Sequence, residues 1–129
     1  AQVERATDRA AAYYMLNCAH PTHFAEVLTA GEPWLERIRG IRANASAKSH
    51  AELNESETID DGNPAELGSQ YRELKAKLKN LNVLGGCCGT DERHIEAICQ
   101  ACLPVWWTHL SNGGQLQIQR SPFSQKTVA

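Results

Sequence analysis

The sequence predicts an α/β domain in which parallel strands alternate with helices. Three short apolar segments, 13–16, 38–43 and 81–84, are each followed by a helical pattern. This order is typical of a parallel sheet whose connecting helices cross back over it. Two cysteine motifs, NC and GGCCG, directly follow the first and the third segment. Because parallel α/β folds collect functional groups at the carboxyl ends of their strands, both motifs are expected at one edge of the sheet.

The first unit begins with the end of a helix, Val3 to Ala12, before the strand at 13–16. Asn17 and Cys18 end this strand. Pro21 then begins a predicted helix, and Gly31 ends it. Its apolar residues at helical spacing are Phe24, Val27 and Leu28. The pattern therefore indicates one complete strand–helix unit.

The second unit contains the most clearly marked helix. After the strand at 38–43 and a long polar segment, 44–62, Asn63 is a helix cap with Pro64 at the first position and Glu66 in a capping-box pattern. The residues that form one apolar face are Leu67, Tyr71, Leu74 and Leu78. This spacing predicts a helix packed on the sheet.

The third unit carries the glycine- and cysteine-rich motif. The segment 81–84 leads into GGCCG, after which Thr90 is the predicted cap of a helix with Asp91 and Glu92 in its first turn. The residues predicted to share one face of this helix are Ile95, Ile98, Cys99 and Cys102. We therefore assign 1–103 to the α/β domain and 104–129 to a separate C-terminal tail.

Composition excludes several classes of function. The formal net charge is −2, and basic residues are interspersed with acidic ones, so neither nucleic acid nor a membrane surface is an expected partner. No apolar run approaches the roughly 20 residues that span a bilayer, and the N-terminal stretch is too polar for a secretory signal. We expect a cytoplasmic protein. Five cysteines then indicate thiols or metal ligation rather than a disulfide framework.

Three of these cysteines are candidate ligands of one metal ion. Cys18 and the Cys87-Cys88 pair follow different strands, and the glycines around the pair permit a turn that presents both sulfurs to one side. Three thiolates at about 2.3 Å from Zn²⁺ would leave the fourth tetrahedral position open, as in catalytic sites. A Cys87-Cys88 disulfide and three buried apolar thiols remain alternatives.

The motifs resemble those of a known enzyme family. NCAHP at 17–21, RANAS at 42–46, SHAEL at 49–53 and VLGGCCGTDERHI at 83–95 are similar, in matching order, to segments of the zinc-dependent homocysteine S-methyltransferases. The resemblance implies the C-terminal units of a (β/α)₈ barrel of the TIM type. It also implies that Cys18, after the sixth strand, and Cys87 and Cys88, after the eighth, are the zinc ligands.

The resemblance further implies an activity and its substrates. Enzymes of this family transfer a methyl group from a sulfonium or quaternary ammonium donor to the thiol of homocysteine, giving methionine. Asn17, Gly86 and Asn44 are the candidate substrate-binding residues because they lie at or beside the same strand ends. A complete barrel needs about 250 residues, so this chain supplies only about three of eight units. We therefore expect self-association or an N-terminal part of the barrel supplied from elsewhere.

Two further interpretations follow from the residues. Cys99 and Cys102 form a C-x-x-C, but their helical phase predicts that they pack in the core rather than bind metal. A noncatalytic zinc-binding or assembly module that retained the three cysteines is the alternative to an enzyme.

Overall fold

A three-stranded parallel sheet is the centre of the structure. The computed structural model describes residues 2–28, 31–49, 51–52, 55 and 57–103. The strands are β1 (Tyr14–Asn17), β2 (Ile38–Ala43) and β3 (Val83–Gly86), in the order β1-β2-β3. All pairs are parallel, with Leu16 opposite Ile41 and Ala43 opposite Gly86. The predicted mixed α/β class with a parallel sheet is therefore confirmed.

The strand bounds agree with the sequence patterns to within two residues. β2 has the predicted bounds, whereas β3 begins at Val83 instead of Leu81. Leu81 is nevertheless 3% exposed, because the backbone N–H of Leu81 donates to Leu78 and turns its side chain into the core. Leu81 therefore lies in the tight connection before β3, and its buried apolar side chain is the reason that the sequence pattern placed it in the strand.

Helix α1 (Gln2–Ala6) precedes the sheet, and α2 (Pro64–Lys77) and α3 (Glu92–Cys102) pack against it and each other. Asn63 accepts hydrogen bonds from the N–H groups of Ala65 and Glu66, which confirms the predicted cap of α2. The four residues predicted for its apolar face are all buried, namely Leu67, Tyr71, Leu74 and Leu78. They form the core together with residues of β2 and the connections.

Two of the predicted helices are wrong in extent or type. The segment from Pro21 forms two 3-10 turns, Pro21–His23 and Ala25–Val27, instead of an α-helix ending at Gly31. Phe24 leaves the helical region at φ −136°, which separates the turns. The N-terminal helix ends at Ala6 rather than Ala12, since Asp8 and Arg9 take positive φ.

The buried face of α3 also differs from the prediction. Asp91, not Thr90, caps this helix. His94 and Ile98 are the buried residues, whereas Ile95 is 43% exposed and Cys99 is exposed. The helix is rotated because its Ala97 backbone packs against Gly68 of α2, where an added Cβ would lie 2.7 Å from the Ala97 oxygen. Core packing of Cys99 was therefore a wrong prediction, and Cys102 is only partly buried.

The tail at 104–129 lies outside the described residues, so its separation from the domain stays a prediction. Among the helices of the described part of the chain, none combines the length and the apolar character needed to cross a bilayer.

Candidate metal centre

The structure brings three cysteines together at the carboxyl edge of the sheet. The sulfur atoms of Cys18, Cys87 and Cys88 all lie within 4.8 Å of one another. Cys18 and Cys87 are partly buried, and Cys88 is exposed. Two turns 69 residues apart in sequence thus converge on one point.

Cys18 and Cys87 are paired in the structure as a disulfide, with their Cα atoms 5.6 Å apart, and Cys88 is a free thiol. The pairing differs from the sequence-based expectation of free thiols, and also from the alternative bond between Cys87 and Cys88. Two cysteines close enough to form a disulfide are also close enough to bind one ion when they are reduced.

The end of β2 carries no cysteine, but its backbone holds both cysteine turns. On one side the N–H of Cys18 donates to Arg42, and the N–H of Asn44 donates to Ala19. On the other side the N–H of Cys87 donates to Ala43 at 2.8 Å. The N–H of Ala45 then donates to Cys88 at 3.0 Å. The two turns are therefore positioned relative to each other by one segment, 42–45.

Cys18 has an unusual backbone conformation that the side chain of Asn44 supports. Its φ is +54°, in the left-handed region that is disfavoured for residues other than glycine. Asn44 Nδ2 donates to the carbonyl of Cys18 at 3.1 Å. Asn44 is only 4% exposed, and its Oδ1 has no hydrogen-bond partner among the described residues. A buried acceptor of this kind is available to a donor on a bound molecule.

The Cys87-Cys88 turn is stabilised from two other sides. The hydroxyl of Thr90 donates to the carbonyl of Cys87 at 2.7 Å. Gly89 has φ +75°, and a Cβ at this position would lie 2.6 Å from the carbonyl oxygen of Asp60. Only glycine allows the preceding loop to approach so closely. Among the glycines of the motif, Gly89 therefore makes the turn possible, whereas Gly85 and Gly86 belong to β3.

A buried histidine connects this turn to the loop before α2. His94 is fully buried; its Nε2 donates to the carbonyl oxygen of Asp61 at 2.7 Å, and its Nδ1 accepts from the N–H of Asp91 at 3.1 Å, beside the Asp91 carboxylate. Arg93 also bonds to the carboxylates of Asp91 and Asp61. The Arg93 guanidinium, followed by the hydrogen bond to His94, holds the pKa of Asp91 well below its usual range.

A second charged group stabilises the same loop. Asp60 accepts hydrogen bonds from Ser46 Oγ and the N–H of Gly62, and it forms an ion pair with Lys48 at 2.9 Å. The hydrogen bond from Lys48 is the main cause of the lowered pKa of Asp60. A cavity of about 350 Å³ beside Cys88 is lined in part by Ser46, Asp60 and Gly89.

The other two predicted site residues, Asn17 and Gly86, lie nearby with different surroundings, and so does His20, which was not a predicted site residue. Asn17 is exposed at the end of β1. Gly86 is packed against Thr90, whose hydroxyl would lie 2.1 Å from an added Cβ. His20 is 5% exposed and caps the first 3-10 turn through Thr22, and burial lowers its pKa. His20 therefore has a structural role in the turn after Cys18.

The comparison with protein families decides which family the chain belongs to. The family model for homocysteine S-methyltransferase matches residues 1–102. The chain belongs to this family. Neither a curated protein nor a solved structure matches the chain. Membership confirms the family that the NC and GGCCG motifs indicated, and the homocysteine S-methyltransferases are in general zinc-dependent.

The three cysteines of this homocysteine S-methyltransferase relative fit a zinc ion by their chemistry. Thiolate sulfur is a preferred zinc ligand, and at Zn–S distances of about 2.3 Å tetrahedral geometry separates two sulfurs by about 3.8 Å. All three sulfurs lie within 4.8 Å of one another, so small side-chain rotations in the reduced protein suffice. No other group of three such ligands occurs among the residues that the structure describes.

Proposed function

We propose that this chain provides the zinc-binding part of an enzyme that methylates homocysteine to methionine. The observation that carries the proposal is the convergence of Cys18, Cys87 and Cys88 at the carboxyl edge of a parallel sheet. Family membership supports the chemistry. The donor is a sulfonium or quaternary ammonium compound, and the site of action is the cytoplasm, where thiols stay reduced.

In this proposal the three cysteine thiolates are the protein ligands and leave one position for the substrate thiol. When bound, zinc supplies a Lewis acid that lowers the pKa of that thiol, so that its sulfur is nucleophilic at neutral pH. The thiol proton leaves to solvent. A new sulfur–carbon bond forms to the methyl group, and the electron pair of the broken bond stays on the donor sulfur or nitrogen, which becomes neutral.

The residues around the cysteines orient the substrate. The free Oδ1 of Asn44 is an acceptor for the ammonium group of homocysteine, since it is buried and beside Cys18. Asn17 is a second candidate from the exposed side of the same turn. Gly86 contributes by keeping β3 close to Thr90, whose hydroxyl bonds to the Cys87 carbonyl.

We further propose that the sheet corresponds to consecutive C-terminal strands of a (β/α)₈ barrel. Its strands are parallel and adjacent in chain order, as in such a barrel. β1 and β3 each pair with a single neighbour among the described residues. The remaining barrel strands, from another copy or an N-terminal part, would complete these edges.

A metal-binding and assay series tests the function. The reduced chain is expected to retain about one zinc after dialysis, Cys87→Ala to lose it, and Cys99→Ala to retain it as the matched control. Methylation of homocysteine is then assayed with S-methylmethionine, S-adenosylmethionine or betaine, with and without a supplied N-terminal barrel part. Equal zinc loss in the two variants would contradict the proposal.

A noncatalytic zinc-binding or assembly module is the second candidate. A cleft of about 960 Å³ beside β1, with Leu16, Ile38 and the 42% exposed Trp34 in its lining, favours it, because such a surface suits a protein partner. One bound zinc without methylation under any of the assay conditions would support this alternative.

A further inference from the structure

The hydroxyl of Tyr71 contacts the backbone of both β2 and β3 near their carboxyl ends. Tyr71 projects from α2 and its side chain is fully buried. The N–H of Ala43 donates to its hydroxyl oxygen at 2.9 Å, and the hydroxyl is 2.5 Å from the carbonyl oxygen of Gly85, to which it donates. The Ile41 carbonyl oxygen is also within 3.3 Å.

The two groups that Tyr71 joins are those that a regular parallel ladder would pair directly. Ala43 is opposite Gly86, and the Ala43 carbonyl accepts from Cys87. In this register the N–H of Ala43 is directed to the carbonyl of Gly85. The ladder stays paired here, and the hydroxyl accepts from one of these groups and donates to the other, so a helix side chain joins both strands at this point.

This contact is adjacent to the metal ligands. Gly85 is two residues before Cys87, and Ala43 precedes Asn44 and Ala45, which bond to the two cysteine turns. The hydroxyl adds hydrogen bonds from α2 to both strands at the point where they lead into the cysteine turns. The side chain of Tyr71 thereby fixes the position of the Cys87-Cys88 turn relative to the segment that holds Cys18.

We propose that Tyr71 is a positioning residue for the three-cysteine centre, which acts by tying the ends of β2 and β3 to α2 so that Cys87 and Cys88 meet Cys18 around one ion. This inference rests on the proposed zinc-binding function. Tyr71 does not itself contact the ion or the substrate. Its burial raises its pKa to about 12, so the hydroxyl keeps the proton that it donates to Gly85 at neutral pH.

Tyr71→Phe is the direct test, because it retains the ring and removes the hydroxyl. Without the hydroxyl, the ends of β2 and β3 lose their shared hydrogen bonds to α2, so the position of Cys87 relative to Cys18 is no longer fixed from this side. Zinc affinity, measured in reduced protein by competition with a chromophoric chelator, is expected to fall at least tenfold, the range of about 10–100-fold seen when partners of metal ligands are lost. The thiolate-to-metal absorption of the Co²⁺ form should also change.

Two variants control for structural effects. Tyr14→Phe removes the same hydroxyl at the opposite end of the sheet, where Tyr14 pairs with Ile38. Leu74→Val removes one methylene from a buried, apolar side chain one turn further along α2, and it leaves the Tyr71 hydroxyl in place. Both are expected to keep the zinc affinity and the Co²⁺ spectrum of the wild type.

The outcomes separate the inference from the function on which it rests. A wild-type chain that binds no zinc contradicts the proposed function. If the wild type binds zinc but Tyr71→Phe has the same zinc affinity, only the role of Tyr71 is overturned. The same conclusion follows if Leu74→Val loses as much zinc affinity as Tyr71→Phe. If Tyr71→Phe does not fold, fluorotyrosine-labelled wild type replaces it, with resonances assigned through Tyr13→Phe and Tyr14→Phe. Zinc should then shift the Tyr71 resonance, and an unshifted resonance would overturn the inference.

Discussion

The two cysteine turns are held in contrasting ways. At the first turn, the ligand residue itself, Cys18, takes the left-handed conformation, and the side chain of Asn44 supports it. At the second turn, Gly89 takes the left-handed conformation, so Cys87 and Cys88 are relieved of it. Thr90 bonds to the Cys87 carbonyl within the second turn, and His94 bonds the helix that follows it to Asp61. The first turn thus places backbone strain on a ligand residue, whereas the second places the left-handed conformation on a glycine, which adopts it without that strain.

This difference predicts two kinds of sensitivity. Changes around the second turn should affect the stability of the fold, because its supports also join α3 to the preceding loop. Changes around the first turn should affect mainly metal affinity, since Asn44 supports a single ligand residue. Four variants test this comparison, in order of expected effect.

Gly89→Ala should have the largest effect. The free energy of unfolding should fall by about 2–4 kcal/mol, because a side chain at positive φ costs about 1–2 kcal/mol and the Cβ also meets the Asp60 carbonyl. Urea denaturation measures the change. Gly31→Ala is the matched control, since Gly31 has φ +92° but no described atom within 4 Å of its added Cβ. Equal losses in both variants would show that the contact with Asp60 contributes nothing.

His94→Ala should be the next most destabilising. We expect a loss of about 2–3 kcal/mol, because the variant leaves a cavity at a fully buried ring and removes its hydrogen bonds to Asp61 and Asp91. Thermal and urea unfolding give the value. His23→Ala, in which an exposed ring loses one bond to Ala47, should change stability by less than about 0.5 kcal/mol. If His94→Ala leaves the free energy of unfolding unchanged, His94 does not support the second turn.

Asn44→Ala should affect metal binding more than stability. Removal of the Asn44 amide removes the hydrogen bond to the Cys18 carbonyl, so the zinc affinity is expected to fall about tenfold. The free energy of unfolding should change little, because the variant also removes an unpaired buried oxygen. Chelator competition and urea denaturation are compared on the same samples. Asn17→Ala, exposed beside Cys18, is the control, and an equal loss of affinity there would contradict the role of Asn44.

The smallest expected effect is a pH dependence from Asp91. Since its pKa is lower in the folded protein than its ordinary value of 3.8, its ionised form stabilises the fold above about pH 4. The contribution is lost as the pH falls below this value toward the lower folded pKa. Melting temperatures of metal-free protein between pH 6 and about 3 should converge for the wild type and Asp91→Asn. Parallel curves would argue against the ion pair with Arg93.

Local patterns in the sequence were sufficient to predict the sheet, α2 and the convergence of the three cysteines. β2 and the face of α2 follow from apolar spacing, and the GGCCG motif indicated the turn after β3. The sequence pattern did not predict that Cys99 is exposed. The rotation of α3 is set by the contact between Gly68 and Ala97, which are distant in sequence. The 3-10 turns after Pro21 were likewise missed.

The residues that hold the site in place were harder to predict from the sequence than the metal ligands. Tyr71 was identified only as a core residue, since its apolar ring gives no signal that its hydroxyl joins two strands. His94 follows the cap Asp91 by three residues, and this spacing could have indicated a capping box. The left-handed conformation of Cys18 has no marker in the sequence, because the neighbouring residues are not glycine.

X-ray absorption at the zinc edge tests the central claim most directly. For the reduced, zinc-loaded chain the account predicts three protein sulfurs at about 2.3 Å. Cys18→Ala, Cys87→Ala and Cys88→Ala should each lose one sulfur or the ion, whereas Cys102→Ala should leave the spectrum unchanged. A wild-type spectrum without three sulfurs, or one that Cys18→Ala does not alter, would contradict a shared three-cysteine centre.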